Sequence, residues 1–444
     1  MNVGFVSLGC SKNLLDTEMV IGLFKRNNFN IVNDPASAEI IVVNTCGFIE
    51  PAKEEAINTI LEMAEYKKDK CKYLIVMGCL AERYKNELIK SLPEVDLFIK
   101  FSEYDSFWNQ IESLIGKSNV EVNENLDFLD RVVTTGSNYA YIRIAEGCNN
   151  NCTYCAIPYI WGRYVSRKIE DILEEAKMLA SEGIKEIILI AQDTTKYGID
   201  LYGKERLAEL LEELCKIDGI EWIRFLYSYP ESVSDELISV VKNNDKICKY
   251  FDIPIQHYSD SILRKMARKV KSDDIKRLIK KIRTEIPEAI IRTTVMVGFP
   301  TETEEDFKKL YNFVEEVKFD RMGAFSYSKE EGTPAEKIKG HIHPMTKKAR
   351  YNKIMKLQQK ISEENAKKHI GKVLKVLIEE RSFDGKYYIG RSYMDVPDID
   401  GIVFVNCEQE NLEGQFVTVR IVKAQDYDLI GVIDNLHNSD IIVM

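Results

Sequence analysis

The chain has 444 residues, of which 45% are hydrophobic and 30% charged, and it carries a net charge of −10. That is an ordinary globular composition, long enough for about three domains. It excludes a membrane span, since no apolar run approaches the roughly 18 residues required, and ten cysteines are too few for a disulfide scaffold of this length. The opening MNVGFVSLGC has no basic region ahead of its apolar run, so it reads as a first strand, not a signal peptide. A cytoplasmic location is the expectation. In a reducing compartment, clustered cysteines point to metal or redox chemistry before bridges.

The first hundred residues repeat one pattern: an apolar run, a cysteine at its end, then a helical segment. The runs are Val3–Cys10, Glu39–Cys46 and Tyr73–Cys79. Each is rich in Val, Ile and Leu, as in a parallel strand covered on both faces. Strands alternating with helices such as Lys53–Tyr66 predict a parallel α/β domain over residues 1–117. Loops at the carboxyl ends of parallel strands gather along one edge. Cys10, Cys46 and Cys79, far apart in sequence, should therefore converge.

Residues 118–138 are polar and acidic, and 118–133 read as a linker. A second α/β series spans 134–369. Its strand candidates are Tyr139–Ala145, Glu186–Gln192, Ile223–Tyr229, Tyr250–Gln256, Ala289–Val297 and Asp320–Ser326. The clearest helix is Ser166–Glu182, with Ser166 as N-cap, Ile169, Ile172, Leu173, Ala176 and Leu179 on one face, and Gly183 as its stop. Six such units predict a partial (β/α)6 barrel, whose working groups sit at the carboxyl ends of the strands. Residues 346–369 read as a long polar helix. From 370 to 438, short runs separated by turn residues predict a small antiparallel β-barrel.

The loop after the first barrel strand, EGCNNNCTYC, carries Cys148, Cys152 and Cys155. Zinc sites usually use four ligands in two paired knuckles, and a [4Fe–4S] cluster usually takes four cysteines. Three thiolates leave one iron open, and a small molecule can coordinate there. Zinc, or three incidental core cysteines, are the alternatives. The N-terminal trio repeats the arithmetic. Singly, each of its members reads as structural; together, at successive strand ends, they argue for a second cluster with its own open iron.

CNNNCTYC, with aromatic Tyr154 before the last cysteine, resembles the CxxxCxxC loop of radical S-adenosylmethionine enzymes. SLGCSKNLLDTE, VNTCGFIEPAKEEAI and GCLAERY resemble the N-terminal domain of methylthiotransferases. IAQDTTKYGIDLYG, YFDIPIQHYSDSILRKM and IRTTVMVGFPTETEEDF extend the likeness through the barrel, and the C-terminal barrel resembles a TRAM domain. The resemblance implies two [4Fe–4S] clusters, an auxiliary one on Cys10, Cys46 and Cys79 and a radical one on Cys148, Cys152 and Cys155, with S-adenosylmethionine at the latter's open iron. It implies that a methyl group passes to a sulfur on the auxiliary cluster, and that a second S-adenosylmethionine supplies a 5′-deoxyadenosyl radical to activate the substrate carbon. Tyr154, near adenine, and Gln192, near the amino group, are the implied S-adenosylmethionine contacts, with Asp193 behind Gln192. No catalytic side chain is assigned.

Two branches of that family differ in substrate. One acts on isopentenyladenosine beside the anticodon of transfer RNA, the other on the β-carbon of an aspartate in small-subunit ribosomal protein twelve. GRSYMDVPDIDG (Gly390–Gly401), SLGCSKN and IAQDTTKYG resemble the ribosomal-protein branch. Charge agrees: residues 371–444 are net −6, whereas an RNA grip should be basic and an acidic surface suits a basic ribosomal protein. The basic stretch Arg264–Arg283 is read as a solvated helix face, with contact to ribosomal RNA as its alternative. The transfer-RNA enzyme is the alternative function, and a non-enzymatic iron–sulfur scaffold the reading from another class. The family also implies an electron donor such as flavodoxin or ferredoxin; the sulfur donor is unassigned, and a monomer is expected. His341 and His343 read as a surface loop, and His257 as a strand end facing either substrate or packing. Cys71, Cys215, Cys248 and Cys407 have no spacing logic and read as small apolar residues. If both clusters serve one reaction, the two trios should face one shared cavity.

Overall fold

The computed structural model describes residues 1–116, 126–407 and 409–434. Residue 117, residues 118–125 of the expected linker and residues 435–438 of the expected C-terminal domain lie outside the described residues. No helix among the described residues is long and apolar enough to cross a membrane.

The N-terminal domain is a five-stranded parallel sheet. Its strands are β1 (Asn2–Ser7), β2 (Asn30–Val32), β3 (Ile40–Thr45), β4 (Tyr73–Gly78) and β5 (Leu97–Ile99), in the order β2-β1-β3-β4-β5. Every residue of β3 is buried. Its alternate side chains divide between two cores: Ile41 and Val43 pack with Ile60 and Leu80 on one face, Ile40 and Val42 with Phe24 and Trp108 on the other. That two-sided burial is why the run is apolar without alternation.

The barrel is built from six parallel strands, β6 (Tyr139–Arg143), β9 (Glu186–Ile190), β10 (Trp222–Phe225), β11 (Tyr250–Asp252), β12 (Ile290–Val297) and β13 (Arg321–Ser326). Between the first two lies a short antiparallel ribbon, β7 (Ala145–Glu146) and β8 (Val165–Ser166). The strands form two three-stranded sheets, β6-β9-β10 and β11-β12-β13, joined by a parallel bridge between Ile223 and Ile247. One helix start differs from expectation. The helix runs Ile169–Ser181 behind Lys168, and Ser166 is not its cap. The Ser166 hydroxyl instead bonds Asp200 Oδ1 at 2.6 Å and accepts from the Gly198 amide at 3.0 Å. A carboxylate on the short later helix Ile199–Tyr202 outcompetes the local helix end for this side chain.

The helix Pro344–Lys367 packs on β13 and leads into a closed five-stranded barrel of β14 (Val373–Arg381), β15 (Tyr388–Ser392), β16 (Val403–Asn406), β17 (Phe416–Ala424) and β18 (Leu429–Ile433). Four of its pairings are antiparallel, as expected; β16 and β18 pair in parallel. The reason is arithmetic: an odd number of strands cannot close into a ring with every neighbour antiparallel.

This small barrel seals the amino-terminal end of the large one. Arg391 pairs with Glu186 at 2.8 Å and Glu379 at 2.7 Å, and Glu186 also holds Arg224 at 2.8 Å. Asp395 takes Arg321 at 2.6 Å, Asp400 takes the Tyr250 hydroxyl at 2.6 Å, and Asp398 takes that of Tyr139 at 3.1 Å. The segment Gly390–Gly401 therefore works as an interdomain seal, at the opposite end of the barrel from the cysteine loop.

Candidate functional site

The loop after β6 turns at Gly147 (φ +67°), where a Cβ would lie 2.0 Å from the Arg163 carbonyl oxygen. Only glycine lets the loop return against the β7–β8 ribbon. Two backbone amides point at sulfur: Asn150 N–H donates to Cys148 Sγ and Ile157 N–H to Cys155 Sγ, each at 3.4 Å. The Tyr229 hydroxyl lies 3.4 Å from Cys152 Sγ. Burial pushes the Cys148 thiol up to about 11 and the Cys155 thiol to about 12, the neighbouring thiols adding to both. Such thiols stay protonated at neutral pH unless a bound cation offsets the thiolate charge.

Cys10 follows β1 and precedes the helix Ser11–Arg26, Cys46 follows β3, and Cys79 opens the helix after β4. The three ends converge. A Cβ on Gly9 (φ +96°) would stand 3.0 Å from Cys46 Cβ. Burial raises the Cys79 thiol far above its ordinary value, and the charges of Cys10 and Cys46 raise it further. Asn13 ties the ends together: its Nδ2 donates to the carbonyls of Leu8 and Thr45, each at 3.0 Å, and its Oδ1 lies 3.6 Å from Cys79 Sγ. Among the described residues, no three Cys, His, Asp or Glu side chains close around a single metal ion.

Both trios border the interface between the N-terminal domain and the carboxyl end of the barrel. Cys79 packs with Ala156 and Ile160, just beyond Cys155. Asp16 pairs with Arg143 at 2.8 Å, and the Lys12 ammonium sits 3.6 Å from the centroid of the Tyr227 ring. Glu330, 2% exposed, takes the Glu50 amide at 3.1 Å, Lys53 at 3.2 Å and Arg83 at 3.5 Å. Arg83 also donates to the carbonyl of Gly47, next to Cys46, at 2.8 Å.

Family profiles match all three parts: "Radical SAM superfamily" over residues 142–314, "Uncharacterized protein family UPF0004" over 2–100, and "TRAM domain" over 370–433. The ribosomal protein uS12 methylthiotransferase RimO of Alkaliphilus oremlandii is 64% identical over 97% of this chain and 98% of its own. The chain belongs to the RimO family of radical SAM methylthiotransferases. The RimO protein of Acetivibrio thermocellus is 50% identical over 98% of each chain. The solved structure of the radical S-adenosylmethionine methyltransferase TsrM from Kitasatospora setae, at 12% identity and a TM-score of 0.58 over 84% of this chain and 80% of its own, shares the fold.

In this RimO-family chain, the other residues singled out in the sequence divide clearly. Gln192, just past β9, is half-buried, and its Oε1 is a buried acceptor with no partner among the described residues. Asp193 is committed to Asn150 Nδ2 at 2.7 Å and to the Thr195 hydroxyl. Tyr154 packs with Ile262, Met266 and Phe299; burial raises its hydroxyl, and the adjacent Cys152 adds to that. His257 is fully buried, accepting from Ser259 N–H at 2.9 Å with Glu302 3.5 Å from its Nε2. His343 caps the Pro344 helix, and His341 lies 3.0 Å from the Glu336 carbonyl. Cys71 and Cys248 sit in hydrophobic cores. On the basic stretch, Lys276 pairs with Glu316, Lys281 with Asp235 and Arg283 with Asp320, while Arg268 is buried over the Tyr229 ring. Five of its ten basic side chains are paired with acids of the barrel. Sequence reading passed over Asn13, Glu330 and Lys12; the first and last were visible only as letters of the SLGCSKN motif.

Proposed function

We propose that this protein transfers a methylthio group to the β-carbon of an aspartate in ribosomal protein uS12, in the cytoplasm and as a monomer. Three units carry the work: residues 1–117, the barrel 134–369 and the TRAM domain 370–438. Cys10, Cys46 and Cys79 would hold an auxiliary [4Fe–4S] cluster, and Cys148, Cys152 and Cys155 the radical cluster. The observation that carries this reading is the pair of three-thiol sets, each gathered at parallel strand ends and both bordering one interface.

The residues fit these groups. The thiols are unbridged, and amide N–H groups already point at two sulfurs, as they do around iron–sulfur clusters. The orphaned Gln192 Oε1 suits the amino group of S-adenosylmethionine, and Tyr154 would flank the adenine. When bound, the clusters and S-adenosylmethionine supply the electron, the radical and the sulfur carrier. The protein's part is positional. Asn13 fixes three strand ends, Asn150 ties the cysteine loop to Asp193, and Glu330 holds the auxiliary domain against the barrel mouth. A reduced flavodoxin or ferredoxin would be the electron source.

Charge supports a protein substrate over RNA, although less simply than the C-terminal total suggests. Asp395 and Asp400 are spent on barrel arginines and a tyrosine, so the exposed surface of that domain is less acidic than −6. Mass spectrometry tests the substrate: the reconstituted protein is incubated with a peptide of the uS12 loop and with a transfer-RNA anticodon stem-loop. A methylthio mass gain on the peptide is expected; a gain on the RNA alone would overturn the proposal.

A further inference from the structure

We infer that Lys12 anchors the carboxylate of the substrate aspartate, holding it between the two cysteine trios; this rests on the methylthiotransferase reading above. Lys12 is 7% exposed. Its ammonium lies 3.6 Å from the centroid of the Tyr227 ring. Among the described residues it has no ion pair and donates no hydrogen bond. The ammonium is not among the fully enclosed polar atoms, so an arriving anion can reach it and would meet a cation backed only by a ring face. The acids on the neighbouring elements are committed. Asp16, one turn along the same helix, holds Arg143 at 2.8 Å. Asp252 holds Arg292 at 2.8 Å and accepts the Tyr227 amide at 2.9 Å. Asp193 is occupied by Asn150 and Thr195. The protein thus presents an accessible cation at the end of a nearly buried side chain and, among the described residues, supplies no anion for it.

The surroundings say what that anion is. Lys12 stands two residues after Cys10. Tyr227 stands two residues before Tyr229, whose hydroxyl is 3.4 Å from Cys152 Sγ. The contact therefore lies between the sulfur-bearing site and the radical site, where the target carbon must come. Tyr227 is held in the left-handed region (φ +61°), unusual for an aromatic residue, and strain of this kind collects at working sites. An aspartate β-carbon is one bond from its carboxylate carbon, so an ammonium that grips the carboxylate fixes the carbon to be modified. Lysine offers three donors on a point charge, which favours a carboxylate over the isosteric amide.

The test is equilibrium binding of a fluorescently labelled uS12-loop peptide to the reconstituted holoenzyme, read by anisotropy without turnover. Peptides carry Asp or Asn at the target position. The wild type should prefer Asp by about 10- to 100-fold, the span of a charged hydrogen bond. Lys12→Met should weaken the Asp peptide alone and erase the preference, while Lys12→Arg keeps most of it. Iron content and S-adenosylmethionine affinity should not move. The assignment is overturned if Lys12→Met retains the preference, if it weakens S-adenosylmethionine binding instead, or if it loses iron, which would make Lys12 a support for Cys10. A wild type that modifies the RNA stem-loop and binds neither peptide would overturn the substrate reading, and this inference with it.

Discussion

Glu330→Ala should separate the two halves of the reaction. Glu330 follows β13 and is shared by Glu50 N–H, Lys53 and Arg83 of the N-terminal domain. The Ser328 hydroxyl also donates to it, at 2.7 Å. Stripping one partner from a buried ion pair costs roughly 3–5 kcal/mol when the other is left bare. Here neither cation is left bare: Lys53 keeps Glu50 at 2.6 Å, and Arg83 keeps the Gly47 carbonyl at 2.8 Å. The loss should be about 2 kcal/mol, concentrated at the domain junction. That is about a thirtyfold shift in the ratio of docked to undocked N-terminal domain. Reductive cleavage of S-adenosylmethionine needs only the barrel; methylthio transfer needs both trios in register. The assay follows 5′-deoxyadenosine and methylthiolated peptide in the same reaction. Deoxyadenosine should stay within about twofold while product falls by up to about thirtyfold, and calorimetry should show an earlier transition for the N-terminal domain. Glu330→Gln, which keeps the acceptor for Glu50 N–H, should fall between. If both products decline in parallel, or if product is unchanged while the junction melts early, the clamp does not set the distance between the trios.

Asn13→Ala removes the tie between the Leu8 and Thr45 carbonyls. It should release iron from the auxiliary trio only, so iron analysis should move from about eight per chain toward about four. Cys79→Ala should do the same and abolish methylthio transfer while deoxyadenosine production persists; Cys152→Ala should abolish deoxyadenosine itself, as measured by chromatography after reduction. His369 gives a pH prediction. Burial, with Lys372 and Arg321 nearby, pushes it down to about 4 from an ordinary 6.5. The fold thus favours the neutral ring, and its contribution is complete above about pH 6.5 and lost as pH falls toward 4. After allowance for its partial exposure this is worth about 1–2 kcal/mol. Urea unfolding of His369→Gln should lose that pH dependence and keep the rest.

Much of this was legible in the residues, and the reasons differ by element. β6, β9, β10 and β11 are buried at every position, as in EIILI of β9, whereas β12 and the start of β13 alternate between buried and half-buried positions. The two outer strands of the N-terminal sheet, β2 and β5, were not seen: three residues carry no period. Ser166 looked like a helix cap because capping is judged from neighbours, whereas its partner Asp200 lies 34 residues away. The meeting of Cys10, Cys46 and Cys79 was legible because parallel strands bring their carboxyl ends to one edge. Asn13, Glu330 and Lys12 were not, because their roles exist only once three strand ends and two domains meet. A polar letter in a strand-end loop does not say which distant carbonyl or carboxylate it will find.

The two ends of the barrel have opposite physical characters, and this explains why one motif misleads about location while remaining diagnostic of the family. At the amino-terminal end, Arg224, Arg321 and Arg391 meet Glu186, Asp395 and Asp400 in a set of buried pairs. Removing any one partner would strand a charge, so the segment Gly390–Gly401 is constrained in nearly every polar position by the scaffold alone. At the carboxyl end the Gln192 oxygen has no partner among the described residues, Lys12 has no anion, and burial raises the Cys79, Cys148 and Cys155 thiols. Paired charge reads as stability and an unpaired cation as a place for a ligand, in keeping with the division of labour between the two faces of such barrels. The N-terminal domain can complete the site only from the carboxyl end, and that is the end on which Glu330 fastens it.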